Sequence, residues 1–318
     1  MEKSMGSSSE PSRYRAILLV LASQLMAAVL HALARLLETR SRFQERVHPF
    51  TVLQVRLLIT SLGCSTYLWW KKTPSFPLGP SELRPLLALR AIGGILGACG
   101  FYVSMSYLSL NEATALNSLG PLGALILTRY LDMGKVVLTD GISCTVALAS
   151  VVLVLQPSSV FGTATGMLAR DVSLDSNAAI YGTLSGMVGV VGGIIALSAI
   201  SRLGTRAHPL LTVNYFSCSV FVVTTFFSFF IPEVILPTTI GSWCLLVAVG
   251  IIGLCMEYLL TAGLGSDDSP SATVMIYSQV IWALLLDWLI WHPRVNMLTI
   301  LGCIGLISTL RQWRYALD

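Results

Sequence analysis

The sequence predicts an all-α integral membrane protein, with ten transmembrane helices arranged as two inverted five-helix repeats. The first observation is composition: of 318 residues, 54% are hydrophobic and only 11% are charged, whereas soluble domains carry about 25% charged residues. The second is a series of apolar segments, each near the roughly 20 residues that a helix needs to cross a bilayer. The third is an internal repeat, in which short motifs and single residues recur: His48-Pro49 as His208-Pro209, Gln54 as Asn214, Gly97 as Gly253, and Ala113-Thr114 as Ala272-Thr273.

Ten apolar segments are predicted to span the membrane: 16–37, 49–70, 86–108, 112–131, 136–156, 178–200, 208–231, 239–262, 270–291 and 296–311. One connection is long and polar, and it separates five spans from five. The predicted organisation is a polar tail at 1–15, a first repeat at 16–156, a linker at 157–177, a second repeat at 178–311 and a tail at 312–318.

The repeats are predicted to be inverted because five is an odd number. A second five-helix copy must enter the bilayer from the opposite side, which gives a pseudo-twofold axis in the membrane plane. Most Lys and Arg residues lie in loops on the same side of the membrane as the N-terminus. The basic loop Arg40–Arg46, on the opposite side, is the exception. The positive-inside rule then places both termini in the cytoplasm. The pattern fits a multi-pass protein of either the plasma membrane or an endomembrane.

Glycines at helical spacing predict close helix contacts in the third and sixth spans. Small residues four positions apart let two backbones approach, which strengthens van der Waals attraction where lipid supplies no hydrophobic drive. Static packing and a sliding surface are both compatible with this spacing. The glycines are Gly93 and Gly97 in the third span, and Gly182, Gly186, Gly189 and Gly193 in the sixth.

Three charged residues inside predicted spans are candidates for function, since an ion in a bilayer is costly unless paired or hydrated. Arg56 in the second span is either a counter-charge for an anion or carboxylate, or one half of an ion pair between helices. For Arg90 in the third span, snorkelling to lipid headgroups is the favoured interpretation. Glu257 either carries a coupled proton or pairs with an arginine.

Neutral polar residues in the fourth and ninth spans suit an organic substrate better than a bare ion. Asn117 lies early in the fourth span, and Tyr277 and Gln279 lie near the middle of the ninth. The alternative is that these groups form interhelical hydrogen bonds, each worth under about 1 kcal/mol on average.

The sequence lacks the motifs of membrane enzymes and of ATP-driven pumps. The four histidines are scattered, and no HExxH, GxSxG or Walker motif occurs. The seven cysteines form no CxxC pair and are interpreted as packing residues. We therefore predict a non-enzyme with no metal and no cofactor, and any transport must be driven by gradients or by another subunit.

Several segments carry a resemblance to the EamA-domain branch of the drug/metabolite transporter superfamily, closest to its eukaryotic, solute-carrier-like members. The resemblance covers nearly all of residues 16–311, although its motifs are loose and apolar. In the first half the segments are Arg90–Gly97, Phe101-Tyr102, Asn111–Leu116 and Gly120-Pro121; in the second half they are Gly253, Tyr258–Leu260, Ala272–Tyr277 and Gln279–Ala283.

This resemblance implies ten helices around a central cavity lined by the first four helices of each half. It also implies alternating access, often with proton-coupled or exchange transport of small organic metabolites. The residues predicted to bind substrate are Arg56, Asn117, Tyr258, Tyr277 and Gln279, with Glu257 as the candidate for proton coupling.

The sequence therefore predicts a multi-pass secondary transporter for a small organic solute. The alternative is a non-transporting membrane receptor or scaffold, which would need no wet central cavity. The predicted partners are the solute and the lipid bilayer, and a homodimer is left open. Nucleic acid is not a predicted partner, because the basic residues lie in short loops rather than on one face.

Overall fold

The computed structural model describes residues 10–38, 49–73, 75–108, 110–131, 138–156, 176–229, 237, 239–266, 270–292 and 296–315. Every regular element in these segments is a helix, which agrees with the all-α prediction.

The described part of the first half holds α1 (Glu10–Glu38), α2 (Pro49–Trp70), α3 (Arg84–Tyr107), α4 (Leu110–Asn117), α5 (Leu119–Leu131) and α6 (Leu138–Leu155). That of the second half holds α7 (Ser176–Leu203), α8 (Pro209–Ser228), α9 (Ile240–Ser266), α10 (Pro270–Val274), α11 (Ser278–Trp291) and α12 (Met297–Tyr315). Two 3₁₀ turns, Gly204–Arg206 and Met275–Tyr277, precede α8 and α11.

Helix α1 begins earlier than predicted, so that positions 10–15 of the predicted polar tail belong to a helix. Most of the predicted linker, 157–175, lies outside the described residues. Helix α7 begins at Ser176, two residues before the predicted start of the second repeat.

Six described segments are helical, long and apolar enough to cross a membrane: Tyr14–Ala34, Arg84–Met105, Ala179–Arg206, Pro209–Ser228, Ile240–Ser266 and Ala272–Ile290. Two shorter apolar helices cover Gly141–Leu155 and Met297–Thr309. Helix α2 has the predicted bounds but is not among the six, because Gln54 and Arg56 interrupt its apolar run. The count of ten spans stays a prediction.

The predicted fourth span is interrupted by a turn, whereas the predicted ninth remains one helical segment, Ala272–Ile290, with a 3₁₀ turn inside it. The fourth divides into α4 and α5 at a turn on Ser118. Pro121 accounts for this break, because proline lacks an N–H and its ring clashes with the carbonyl four residues earlier, that of Asn117. The ninth passes from α10 through the 3₁₀ turn into α11, and no proline marks this change.

The third and sixth spans pack backbone to backbone, as the glycine spacing predicted. A Cβ at Gly93 would lie 2.7 Å from the backbone nitrogen of Ala196, and one at Gly100 only 2.4 Å from that of Gly189. These distances leave no room for a methyl group, so the glycines are required by the contact between α3 and α7. Gly192, rather than the predicted Gly193, completes the row of α7 glycines that contacts α3. A Cβ at Gly193 meets nothing within 4 Å.

We expect Gly192→Ala to destabilise the protein by about 1–3 kcal/mol, the usual cost of overpacking. Its Cβ would lie 2.3 Å from the backbone nitrogen of Gly97, which cannot move aside like a flexible side chain. The measurement is the thermal unfolding midpoint of the purified chain in detergent. The matched control is Gly193→Ala, which has open space and should be neutral or slightly stabilising. Equal midpoints for the two variants would contradict the close packing of α3 on α7.

Candidate functional site

Three charged residues that lie on different helices meet in one cluster. Arg56 of α2 donates from Nη2 to Oε1 of Glu257 on α9, at 3.3 Å. Arg90 of α3 donates from Nη2 to Oε2 of the same carboxylate, also at 3.3 Å. One acid is thus shared between two arginines, and the three side chains together carry a net charge of +1. We call Arg56, Arg90 and Glu257 the charged cluster.

Glycines one helical turn away make room for the arginine side chains. A Cβ at Gly253, on the same helix as Glu257, would lie 2.7 Å from Nε of Arg56. A Cβ at Gly94, four residues after Arg90, would lie 2.3 Å from Cδ2 of Phe216 and 2.9 Å from Nη1 of that arginine. Gly253 is the repeat counterpart of Gly97, and the repeat does not predict its role beside Arg56.

An apolar wall of α2 and α8 surrounds the charged cluster. The Arg90 guanidinium carbon lies 4.2 Å from the ring centroid of Phe216, a cation–π contact. Phe216 packs with Leu53, Leu57 and Val220 in a buried apolar group. Such surroundings lower the local dielectric and strengthen the attraction between the charges.

The prediction that Arg90 snorkels to lipid headgroups is wrong. The residue is only 4% exposed, and its guanidinium turns into the bundle to reach Glu257. Arg56 and Glu257 form the ion pair that the sequence analysis gave as one of two interpretations for each residue. No local sequence signal pointed Arg90 to its partner, because the two residues are separated by 167 positions in the chain.

A second polar group joins the predicted fourth and ninth spans. The hydroxyl of Tyr277 donates to the backbone carbonyl of Ser118 at 2.9 Å. Ser118 and Tyr277 occupy equivalent places, because each lies five residues after a repeated alanine, Ala113 and Ala272 respectively. The turns in the fourth and ninth spans are therefore in direct contact.

The remaining predicted site residues are placed as follows. Gln279, at the start of α11, is half-buried, and its Nε2 lies 3.1 Å from Nδ1 of His31 on α1. His31 is exposed. Asn117 is exposed at the end of α4, and Tyr258, next to Glu257, is 39% exposed. Tyr277 and Gln279 thus make the interhelical hydrogen bonds that were the alternative to substrate contacts.

Helices long and apolar enough to cross a membrane, with an ion cluster buried between them, indicate an integral membrane protein. Residues 14–156 match the model of the EamA-like transporter family. The chain is 55% identical over 311 residues to "Probable transporter vicT" of Bipolaris victoriae, covering 98% of this chain and 88% of that one. It is 30% identical over 275 residues to "Probable transport protein YPL264C" of Saccharomyces cerevisiae, covering 84% and 78%.

The chain therefore belongs to the EamA-like transporter family, as the resemblance predicted, and is a multi-pass membrane transporter. A solved crystal structure has the same fold with a TM-score of 0.73, covering 93% of this chain and 96% of that chain, at 15% identity. At this identity, the likeness establishes the fold alone.

Removal of either partner of the Arg90–Glu257 pair should cost about 3 kcal/mol, because each leaves an uncompensated charge in the bundle. The test is a double-mutant cycle with Arg90→Gln and Glu257→Gln, followed by chemical unfolding in detergent. The double variant should lose less stability than the sum of the two single variants. Arg84→Gln, an exposed arginine on the same helix, is the matched control and should change little. Additive single effects would contradict the pairing.

Proposed function

We propose that this transporter is a secondary carrier that moves a small organic solute by alternating access, coupled either to protons or to exchange. The proposal includes ten spans in two inverted repeats, with the substrate bound between the halves. The observation that carries it is the exposed side chain of His31 on the membrane-length helix α1, which bonds to Gln279 on α11 in the bundle that also buries the charged cluster. The proposal also includes cytoplasmic termini, which rest on the distribution of Lys and Arg alone.

Helix pairing supports the inverted repeat. The third predicted span packs against the sixth (α3 on α7), and the eighth packs against the first (α9 on α1). An exchange of the two halves converts one of these pairs into the other. The second and seventh spans pair with each other (α2 on α8), as do the fifth and tenth (α6 on α12), and each of these pairs maps onto itself. This is the pattern that a pseudo-twofold axis between the halves requires.

Exposed polar groups support a wet cavity. His31 and Gln279 bond to each other on apolar helices, and His31 is exposed. A polar side chain that faced lipid there would be costly, whereas one that faces water would not. A receptor or scaffold has no need of such a cavity, and this observation favours the carrier.

Cysteine accessibility separates the carrier from the scaffold. Cysteines substituted for Asn117, Tyr258 and Gln279, in a background without native cysteines, should react with a charged, water-soluble thiol reagent. Their rates should differ between resting and energised vesicles, because alternating access changes which side of the cavity is open. The control is Leu301→Cys on α12, an exposed apolar position that should face lipid and stay unreactive. Equally low reaction of all four positions in both conditions would favour the scaffold.

The variant Glu257→Gln tests whether Glu257 couples solute transport to protons. Glutamine keeps an oxygen for the arginines but can neither lose a proton nor carry a negative charge. We expect uphill transport to be abolished, whereas counterflow of substrate down its own gradient persists. Vesicle uptake with and without a proton gradient measures both. Glu82→Gln, an exposed acid before α3, is the control and should affect neither. Uphill transport at the normal rate in Glu257→Gln would refute a coupling role.

A further inference from the structure

The two arginines of the charged cluster each leave half of a binding edge unused. A guanidinium holds a carboxylate or phosphate best through two parallel hydrogen bonds, and Nε–H with the adjacent Nη2 forms one such edge. Arg56 and Arg90 reach Glu257 through Nη2 alone, at 3.3 Å. The Nε of each is buried and without a hydrogen-bond partner. Two edges that could hold two oxyanions therefore share one carboxylate.

The charges lead to the same conclusion. Arg56 and Arg90 contribute two positive charges, and the carboxylate that both contact contributes one negative charge. An uncompensated charge and a donor without an acceptor are both unfavourable in an apolar interior. A single additional oxyanion would balance the charge and would supply acceptors for both unused Nε–H groups.

The arginine on the accessible side of the cluster is Arg56. Its side chain is 15% exposed, against 5% for that of Arg90, which is covered by the Phe216 ring. An incoming oxyanion would therefore meet Arg56 first, while Arg90 would keep Glu257.

We propose that the solute is an organic anion, whose carboxylate or phosphate displaces Glu257 from Arg56 and binds the Nε/Nη2 edge of that arginine. Glu257 then pairs with Arg90 through both oxygens. The chain's own carboxylate thus occupies the site when it is empty and competes with the substrate. This inference rests on the proposed carrier function and names its substrate class.

The test is an uptake experiment on the full chain reconstituted in phosphatidylcholine liposomes. The external solution is a water-soluble extract of the expressing cells, supplemented with citrate, glucose 6-phosphate, glucose and spermidine, and mass spectrometry identifies what accumulates relative to protein-free liposomes. The compounds taken up should be organic anions, and the two added anions help separate carboxylate from phosphate recognition. Uptake of neutral or cationic compounds only would overturn the anion assignment and leave the carrier intact. No uptake of any compound would overturn both.

Two variants should shift the KM for the accumulated anion in opposite directions, which misfolding cannot produce. Arg56→Gln should raise the KM for the accumulated anion about tenfold, the equivalent of one lost charge-assisted hydrogen bond. Glu257→Gln should lower the KM measured by counterflow, because the competing carboxylate is gone. Arg84→Gln, outside the cluster, should match the wild type. A KM that rises in Glu257→Gln, or that is unchanged in Arg56→Gln, would overturn the proposal.

Discussion

One carboxylate held between two arginines is the interaction on which the site depends. Glu257 on α9 binds both α2 and α3, two consecutive helices whose arginines precede it by 201 and 167 positions in the chain. Each charge on its own would be costly in a bilayer, and each becomes acceptable only because the others are within reach. The arrangement can be satisfied only when all three helices have the correct rotation and depth, so it also specifies how the two halves of the chain fit together.

Glycine makes this convergence possible, in two different ways. Between α3 and α7 it lets backbones touch, and Gly192 lies against Gly97 without space for a methyl group. Beside the charged cluster it makes space for long side chains, since Gly94 and Gly253 lie against the two guanidinium groups. The first use strengthens packing where the bilayer supplies no hydrophobic drive. The second use admits charge into an interior that larger residues would fill.

The sequence predicted the class of fold well and the site only in part. Composition and hydropathy were sufficient for an all-helical membrane protein, because lipid leaves few alternatives to the helix. The break after Asn117 has a visible cause in Pro121, whereas the turn at Tyr277 has none in its own segment. The repeat relates the two positions, because Ser118 and Tyr277 each follow a repeated alanine by five residues. Arg90 was misplaced because distance along a helix says nothing about the direction of a side chain, and its partner lies in the other half of the chain.

The charged cluster breaks the symmetry that the rest of the chain repeats. In the register that relates Gln54 to Asn214, the counterpart of Arg56 is Phe216, the ring that stacks on Arg90. In the register that relates Gly97 to Gly253, the counterparts of Glu257 and Arg90 are Phe101 and Leu246, both apolar. Charge therefore occupies one of two related positions, and apolar side chains occupy the other. A scaffold with two equivalent halves can alternate between two openings, whereas a site with charge on one side and hydrocarbon on the other holds an amphipathic solute in one orientation. In the proposed alternating-access mechanism, the duplicated helices would provide the movement and the unduplicated charges would provide recognition.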